Sequence, residues 1–144
     1  MIFDKQMELS NEQRVCNAGA AEESENVYDF GVVDPKIGKG EPMMFLFTVD
    51  EAFAGTATTL TITGQSSSDN AVADAYANIS GITIGPIAKA LLVEGYNFTI
   101  VLPAFAAYER YFRFMYTGDN TFETTGKISC RQVIDIQSNF APGA

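Results

Sequence analysis

Residues 59–64 read Thr-Leu-Thr-Ile-Thr-Gly. A strand sends successive side chains to opposite faces, so Leu60, Ile62 and Gly64 share one face and Thr59, Thr61 and Thr63 the other. Threonine is β-branched and at ease beside water, which makes this a half-buried strand. The same period of two runs through most of the chain. Tyr96, Phe98, Ile100 and Leu102 alternate with Asn97, Thr99 and Val101 until Pro103 removes an amide donor. Ile128, Cys130, Ile134 and Ile136 form another apolar face, interrupted by Gln132, with Cys130 as a small core residue. Tyr28, Phe30 and Val32 mark a first strand of the main body, and residues 43–49, apolar on both faces apart from Thr48, read as a central strand. Weaker candidates lie at residues 71–77, 79–84 and 88–93.

Turn residues punctuate these strands at Asp34-Pro35, Gly38-Lys39-Gly40, residues 66–70, Gly85-Pro86, Gly95 and Gly118-Asp119-Asn120. The pattern predicts an all-β, two-sheet antiparallel sandwich. A jelly roll is a strong candidate topology; alternation alone does not separate it from an immunoglobulin-like strand order. The sandwich is expected over residues 27–144 as one domain. Residues 1–26 are expected to form an N-terminal arm and connector, with a short helix over residues 11–16 suggested by the Ser10 and Gln13 capping-box spacing.

The 144 residues suit a single domain with its own core. The net charge is 9 − 18 = −9, and residues 1–29 hold seven acids against two bases. Such a chain has no basic stripe with which to release counterions from phosphates, so nucleic-acid binding is not expected. No apolar run has the length of a membrane span, and Asp4, Lys5 and Glu8 interrupt the start where an export signal would be greasy. Two cysteines, Cys16 and Cys130, are too few for a disulfide framework and lack metal-ligand spacing.

There is no histidine, which removes the usual catalytic triads and the commonest metal ligand. No catalytic, cofactor or metal site is expected. The carboxylates Asp50, Glu51, Asp69 and Asp74 could in principle pair as acid and base, but read as surface acids at strand ends and loops.

Residues 102–118, Leu-Pro-Ala-Phe-Ala-Ala-Tyr-Glu-Arg-Tyr-Phe-Arg-Phe-Met-Tyr-Thr-Gly, are crowded with rings. As a strand they send Phe112, Phe114 and Tyr116 one way and Tyr111, Arg113 and Met115 the other. The first set can fill a core. The second has the composition of a protein interface, although cover by the same chain explains it equally well. In the arm, Ile2, Phe3, Met7 and Leu9 are apolar, yet their burial does not offset the backbone entropy of ordering the segment. The arm therefore needs strand-like hydrogen bonding or an assembled surface to hold it.

Two segments resemble the capsid cement proteins of tailed bacteriophages. One is Ile37-Gly38-Lys39-Gly40-Glu41-Pro42-Met43, running on to Val49-Asp50-Glu51-Ala52-Phe53. The other runs from Leu102-Pro103 through Tyr108-Glu109-Arg110-Tyr111-Phe112-Arg113 to Tyr116-Thr117. The resemblance implies a jelly roll that binds the outer surface of an icosahedral shell and stabilises contacts between major capsid protein subunits. It also implies a homo-oligomer, a homodimer rather than a homotrimer, made in the host cytoplasm and carried on the virion. The interface residues expected on this reading are Ile2, Phe3, Leu9, Tyr111, Arg113 and Met115. A competing expectation is a glycan-binding jelly-roll module using Tyr76 or Tyr108 as a sugar platform.

Overall fold

A computed structural model of the protein describes residues 8–32, 35, 43–104 and 107–133. Among them run nine strands: β1 (Glu8–Arg14), β2 (Ala21–Glu23), β3 (Tyr28–Asp29), β4 (Met44–Ala54), β5 (Thr59–Ser67), β6 (Ala77–Ala88), β7 (Asn97–Val101), β8 (Tyr111–Gly118) and β9 (Thr125–Val133). One sheet has the order β1-β9-β4-β7 and the other β2-β8-β5-β6, with β3 also paired to β8. Every pairing is antiparallel.

The strand order makes the sandwich a jelly roll. β2 and β3 lie along the same partner strand, one against Met115 to Thr117 and the other against Tyr111 and Phe112, so together they form one interrupted edge. Counted as one, they leave eight strands distributed between the sheets as two interlocked Greek keys. The interruption stays bonded: Ser24 donates its amide to the Phe114 carbonyl, and Phe114 donates its own to Ser24 Oγ.

Period-two alternation builds the core. Leu60, Ile62, Phe112, Phe114 and Tyr116 face inward from one sheet and Phe45, Phe47, Val49, Ile128 and Cys130 from the other, and all are buried. The rings interlock between sheets, Phe45 lying 5.2 Å from Phe114 and Phe47 4.9 Å from the same ring, both edge-on. Edge-to-face packing suits the ring quadrupoles and adds to the gain from burial. Gly64 keeps the alternation but carries no side chain, because an added Cβ would stand 2.5 Å from Ile82 Cγ2.

Residues 8–26 depart from the expected arm and connector. Residues 11–16 are not helical: β1 pairs with β9 from Glu8 against Arg131 to Arg14 against Lys127. Ser10 and Gln13 do bond to each other, at 2.7 Å, inside a bulged strand in which Glu12 takes a φ of 46°. Ladder bonds to β9 supply what apolar burial could not, and Leu9 is buried in the core at 1% exposure. Asn26 donates its amide to the Leu9 carbonyl, and Gln13 donates to the Glu23 carbonyl, so this connector is fastened to β1. The sandwich therefore begins at β1, well before residue 27. Ile2 and Phe3 lie outside the described residues, as do Ile134 and Ile136.

The weaker strand candidates resolve unevenly. β6 covers residues 79–84 and runs on to Ala88. Residues 71–76 form a turn instead, and residues 88–93 hold a 3-10 turn at Lys89–Leu91. Among the described residues no helix is long and apolar enough to cross a membrane.

Candidate interface on the five-stranded sheet

β8 sits between β5 and the β2/β3 edge, so its outward residues occupy the middle of a sheet face. Tyr111, Arg113 and Met115 all point to this face and are half-buried, while Phe112, Phe114 and Tyr116 are fully buried behind them. Opposite Arg113 stands Gln65, and opposite Met115 stand Thr63 and Glu23. The threonines read from the sequence as a wet surface, Thr59, Thr61 and Thr63, continue the same face.

Arg113 is held on three sides. Its Nε donates to Gln65 Oε1 at 3.0 Å, and Gln65 Nε2 donates in turn to Asn78 Oδ1 at 2.9 Å. Its Nη1 lies 3.5 Å from a Glu23 carboxylate oxygen. The Tyr76 ring covers the guanidinium, 3.9 Å from its centroid, a cation–π distance that also keeps water off the charge. Only 17% of the Arg113 side chain is exposed. Burial raises the Tyr76 phenol above its ordinary value, and the nearby Arg113 charge pulls it partly back.

Tyr76 reaches this place on a built loop. Asp69 accepts the amides of Val72, Ala73 and Asp74 at 3.1, 2.8 and 3.1 Å. Asp74 accepts both the amide and the hydroxyl of Ser68 at 2.9 Å. Those bonds, the Ser68 amide foremost, hold the Asp74 carboxyl below its usual range. The neighbouring Glu109 carboxyl is pushed up by desolvation first and by Asp74 second. Asn70 and Ala71 adopt positive φ angles of 58° and 65°, turning the chain so that the Tyr76 hydroxyl donates to Asn70 Oδ1 at 2.7 Å.

Beside this cluster, the Arg110 guanidinium lies 5.1 Å from the Tyr111 ring centroid and bonds both oxygens of Asp29 at 2.9 and 3.1 Å. The Arg110 bond, then the Gly31 amide, lowers the Asp29 carboxyl. Two tyrosines and two arginines thus share one face, each arginine already oriented. Large rings and pre-positioned guanidinium groups bind partners with little loss of rotamer freedom.

Of the residues expected at an interface, Tyr111, Arg113 and Met115 come together here, whereas Leu9 belongs to the core. Sequence reasoning missed Tyr76, Gln65 and Arg110 as members of the cluster. Gln65 was legible in principle, being the outward neighbour that extends the Thr59, Thr61 and Thr63 row. Tyr108, the other sugar platform considered, is buried at 5% exposure and donates its hydroxyl to the Pro103 carbonyl at 2.6 Å.

The acidic residues weighed for chemistry are engaged with the backbone or its immediate surroundings. Asp69 and Asp74 build the loop above, Asp50 accepts from the Ser129 hydroxyl, and Glu51 accepts the Gly126 amide at 3.2 Å. Among the described residues no group of three or more potential ligands is placed to hold a metal ion.

Comparison with known protein families matches the chain to the family model Bbp16 over residues 9–132. That span runs from β1 to the penultimate residue of β9, the whole sandwich. No curated protein matches the chain.

Proposed function

Because the chain belongs to the Bbp16 family, whose match coincides with the jelly roll, we propose that the protein is a bacteriophage capsid cement protein. It binds the outer surface of the icosahedral shell and ties major capsid protein subunits together, acting as a homo-oligomer, a dimer in preference to a trimer. The observation that carries this reading is the fate of the Glu109-Arg110-Tyr111-Phe112-Arg113 segment, which resembles the cement-protein signature. Its Phe112 enters the core, while Tyr111 and Arg113 turn outward, Arg113 braced by Tyr76, Gln65 and Glu23 and Tyr111 lying against the Arg110 guanidinium. A face so ordered before any partner arrives is suited to rigid docking on a regular lattice.

A clamp stabilises an assembled shell when it binds the lattice more tightly than free subunits, and a second contact in the same oligomer adds avidity. The acidity of the chain favours the outside of a shell over contact with packaged DNA. The glycan-binding alternative needs an open aromatic face; Tyr76 has one face already covered by Arg113 and Tyr108 is buried.

Undecorated shells incubated with the purified protein and sedimented provide the test. Wild-type protein co-sediments, and Tyr111→Ala with Arg113→Ala lowers occupancy at least about tenfold while leaving the unfolding midpoint near that of the wild type. Equal occupancy of the folded double variant removes this face from the reading. A wild-type protein that never co-sediments overturns the cement function itself.

A further inference from the structure

A sandwich of two open sheets has four edges, and among the described residues three of them are guarded. β1 is bulged twice, with Glu12 at positive φ, and carries Glu8, Glu12 and Arg14. The β2/β3 edge is broken in two and carries Glu22, Glu23 and Asp29. β6 shifts register twice and contains Gly81, Gly85 and Pro86. Bulges, charges and proline are the usual means by which an edge avoids pairing with another chain.

β7 has none of them. Its five residues, Asn-Phe-Thr-Ile-Val, pair with β4 in an unbroken register and include no charge, glycine or proline. From residue 90 to residue 104 the one charged side chain is Glu94. Three large apolar side chains stand open along this stretch, with Leu91 52%, Val93 51% and Val101 49% exposed.

The direction of the free backbone groups follows from the ladder. Leu102 donates its amide to the Met43 carbonyl and Val49 donates to the Tyr96 carbonyl. Hydrogen-bonded and non-bonded pairs alternate in an antiparallel ladder, so Tyr96, Phe98, Ile100 and Leu102 turn their backbone groups toward β4. Asn97, Thr99 and Val101 turn theirs away, out of the sheet edge. These three are symmetrically spaced about Thr99.

We propose that β7 joins two copies of this chain edge to edge about a two-fold axis at Thr99, making one continuous eight-stranded sheet from two four-stranded ones. Antiparallel pairing then sets Thr99 against Thr99 of the second copy and Asn97 against its Val101, and every outward amide and carbonyl of the three finds a partner. Phe98 falls opposite Ile100 of the second copy at the closer, non-bonded positions. Both residues face the core side, Phe98 stacking on Phe47 at 5.1 Å, so the two cores extend toward each other. Charge selects the occupant: a chain of net charge −9 meets its own copy with least repulsion where charge is missing. The identity of the partner rests on the oligomer reading above; the strand and its register do not.

The test is the mass of the protein in solution, measured by light scattering over a dilution series, together with two substitutions. Thr99→Pro removes an amide that points away from β4, a change an edge strand tolerates, and it weakens the dimer about tenfold or more. Thr99→Cys yields a disulfide-linked dimer on mild oxidation, because opposed residues in a bonded pair lie about 5.5 Å apart. Cys16 and Cys130, both buried, remain silent. Val101→Lys gives a second reading of the same edge if the proline variant does not fold. A monomeric wild type, or a dimer that neither Thr99→Pro nor Val101→Lys weakens and that Thr99→Cys does not cross-link, overturns the proposal. So does a Thr99→Pro variant that stays dimeric but loses shell binding, since the edge then belongs to the shell protein. Loss of shell binding by wild-type dimer sinks the cement reading and leaves this one standing.

Discussion

At residue scale, one missing side chain organises the densest part of the core. Gly64 lies on β5 with its hydrogen facing inward, and an added Cβ would stand 2.5 Å from Ile82 Cγ2 and 3.2 Å from Phe112 Cε2. Ile82 and Phe112 are fully buried and have nowhere to retreat. Gly64→Ala is therefore expected to destabilise the fold by about 1–3 kcal/mol through overpacking, measured as a lower urea midpoint at unchanged slope. Combining it with Ile82→Ala should cost less than the two changes summed, because the second removes the atom the first collides with. A strictly additive pair would mean that the strain lies elsewhere. Tyr116 makes the complementary case: its buried hydroxyl meets Ser10 Oγ at 2.8 Å, which joins the first strand to the opposite sheet by a bond between side chains.

At the scale of elements, the strands that could be read directly are those that alternate without a defect and bury one face. β5, β7 and β8 meet that condition, as do Tyr111, Arg113 and Met115 within the candidate face; the start of β4 was legible instead as an apolar run, with Met44 and Phe45 both buried. β1 and β2 do not meet the condition. A bulge at Glu12 breaks the period of β1, its inward positions include the polar Ser10, and it is stabilised by a partner more than a hundred residues away. The sequence offered Tyr76 only as a sugar platform and did not place it over Arg113, because a loop, not a strand, positions it, and loop geometry set by Asp69 and Asp74 has no periodic signature. Two further carboxylates fasten the strand connections at the opposite end of the sandwich. Asp119 accepts the amides of Thr58 and Thr59, and Glu123 accepts the amide of Thr56. The threonine hydroxyl bonds, followed by these amides, lower both carboxyls to about 2. A carboxyl lowered on folding binds fewer protons than in the unfolded chain, so its contribution is full above about pH 4. It is lost as pH falls from there through about 2. The urea midpoint should fall across that window, and Asp119→Asn with Glu123→Gln should flatten the fall. An unchanged acid profile in the double variant would show that these caps do not govern it.

At the scale of the whole molecule, the jelly roll places a braced face on one sheet and, among the described residues, an edge strand without charge or bulge on the other. On the proposed function, one surface meets a lattice while another meets a second copy, which is the arrangement avidity requires. The topology also fixes when the molecule can be finished. β1 lies beside β9, and Glu8 pairs with Arg131. During synthesis β1 must wait, unpaired, until β9, more than a hundred residues later, has left the ribosome. Long-range pairings of this kind make folding slow, in the range of milliseconds to seconds. A chain lacking β9 should leave Leu9 without its pocket and fail to give a cooperative melt. A circular permutant that links the two terminal strands directly should fold faster than the natural order. β1 and β9 thus act as a clasp, and the sandwich is finished only once it has closed.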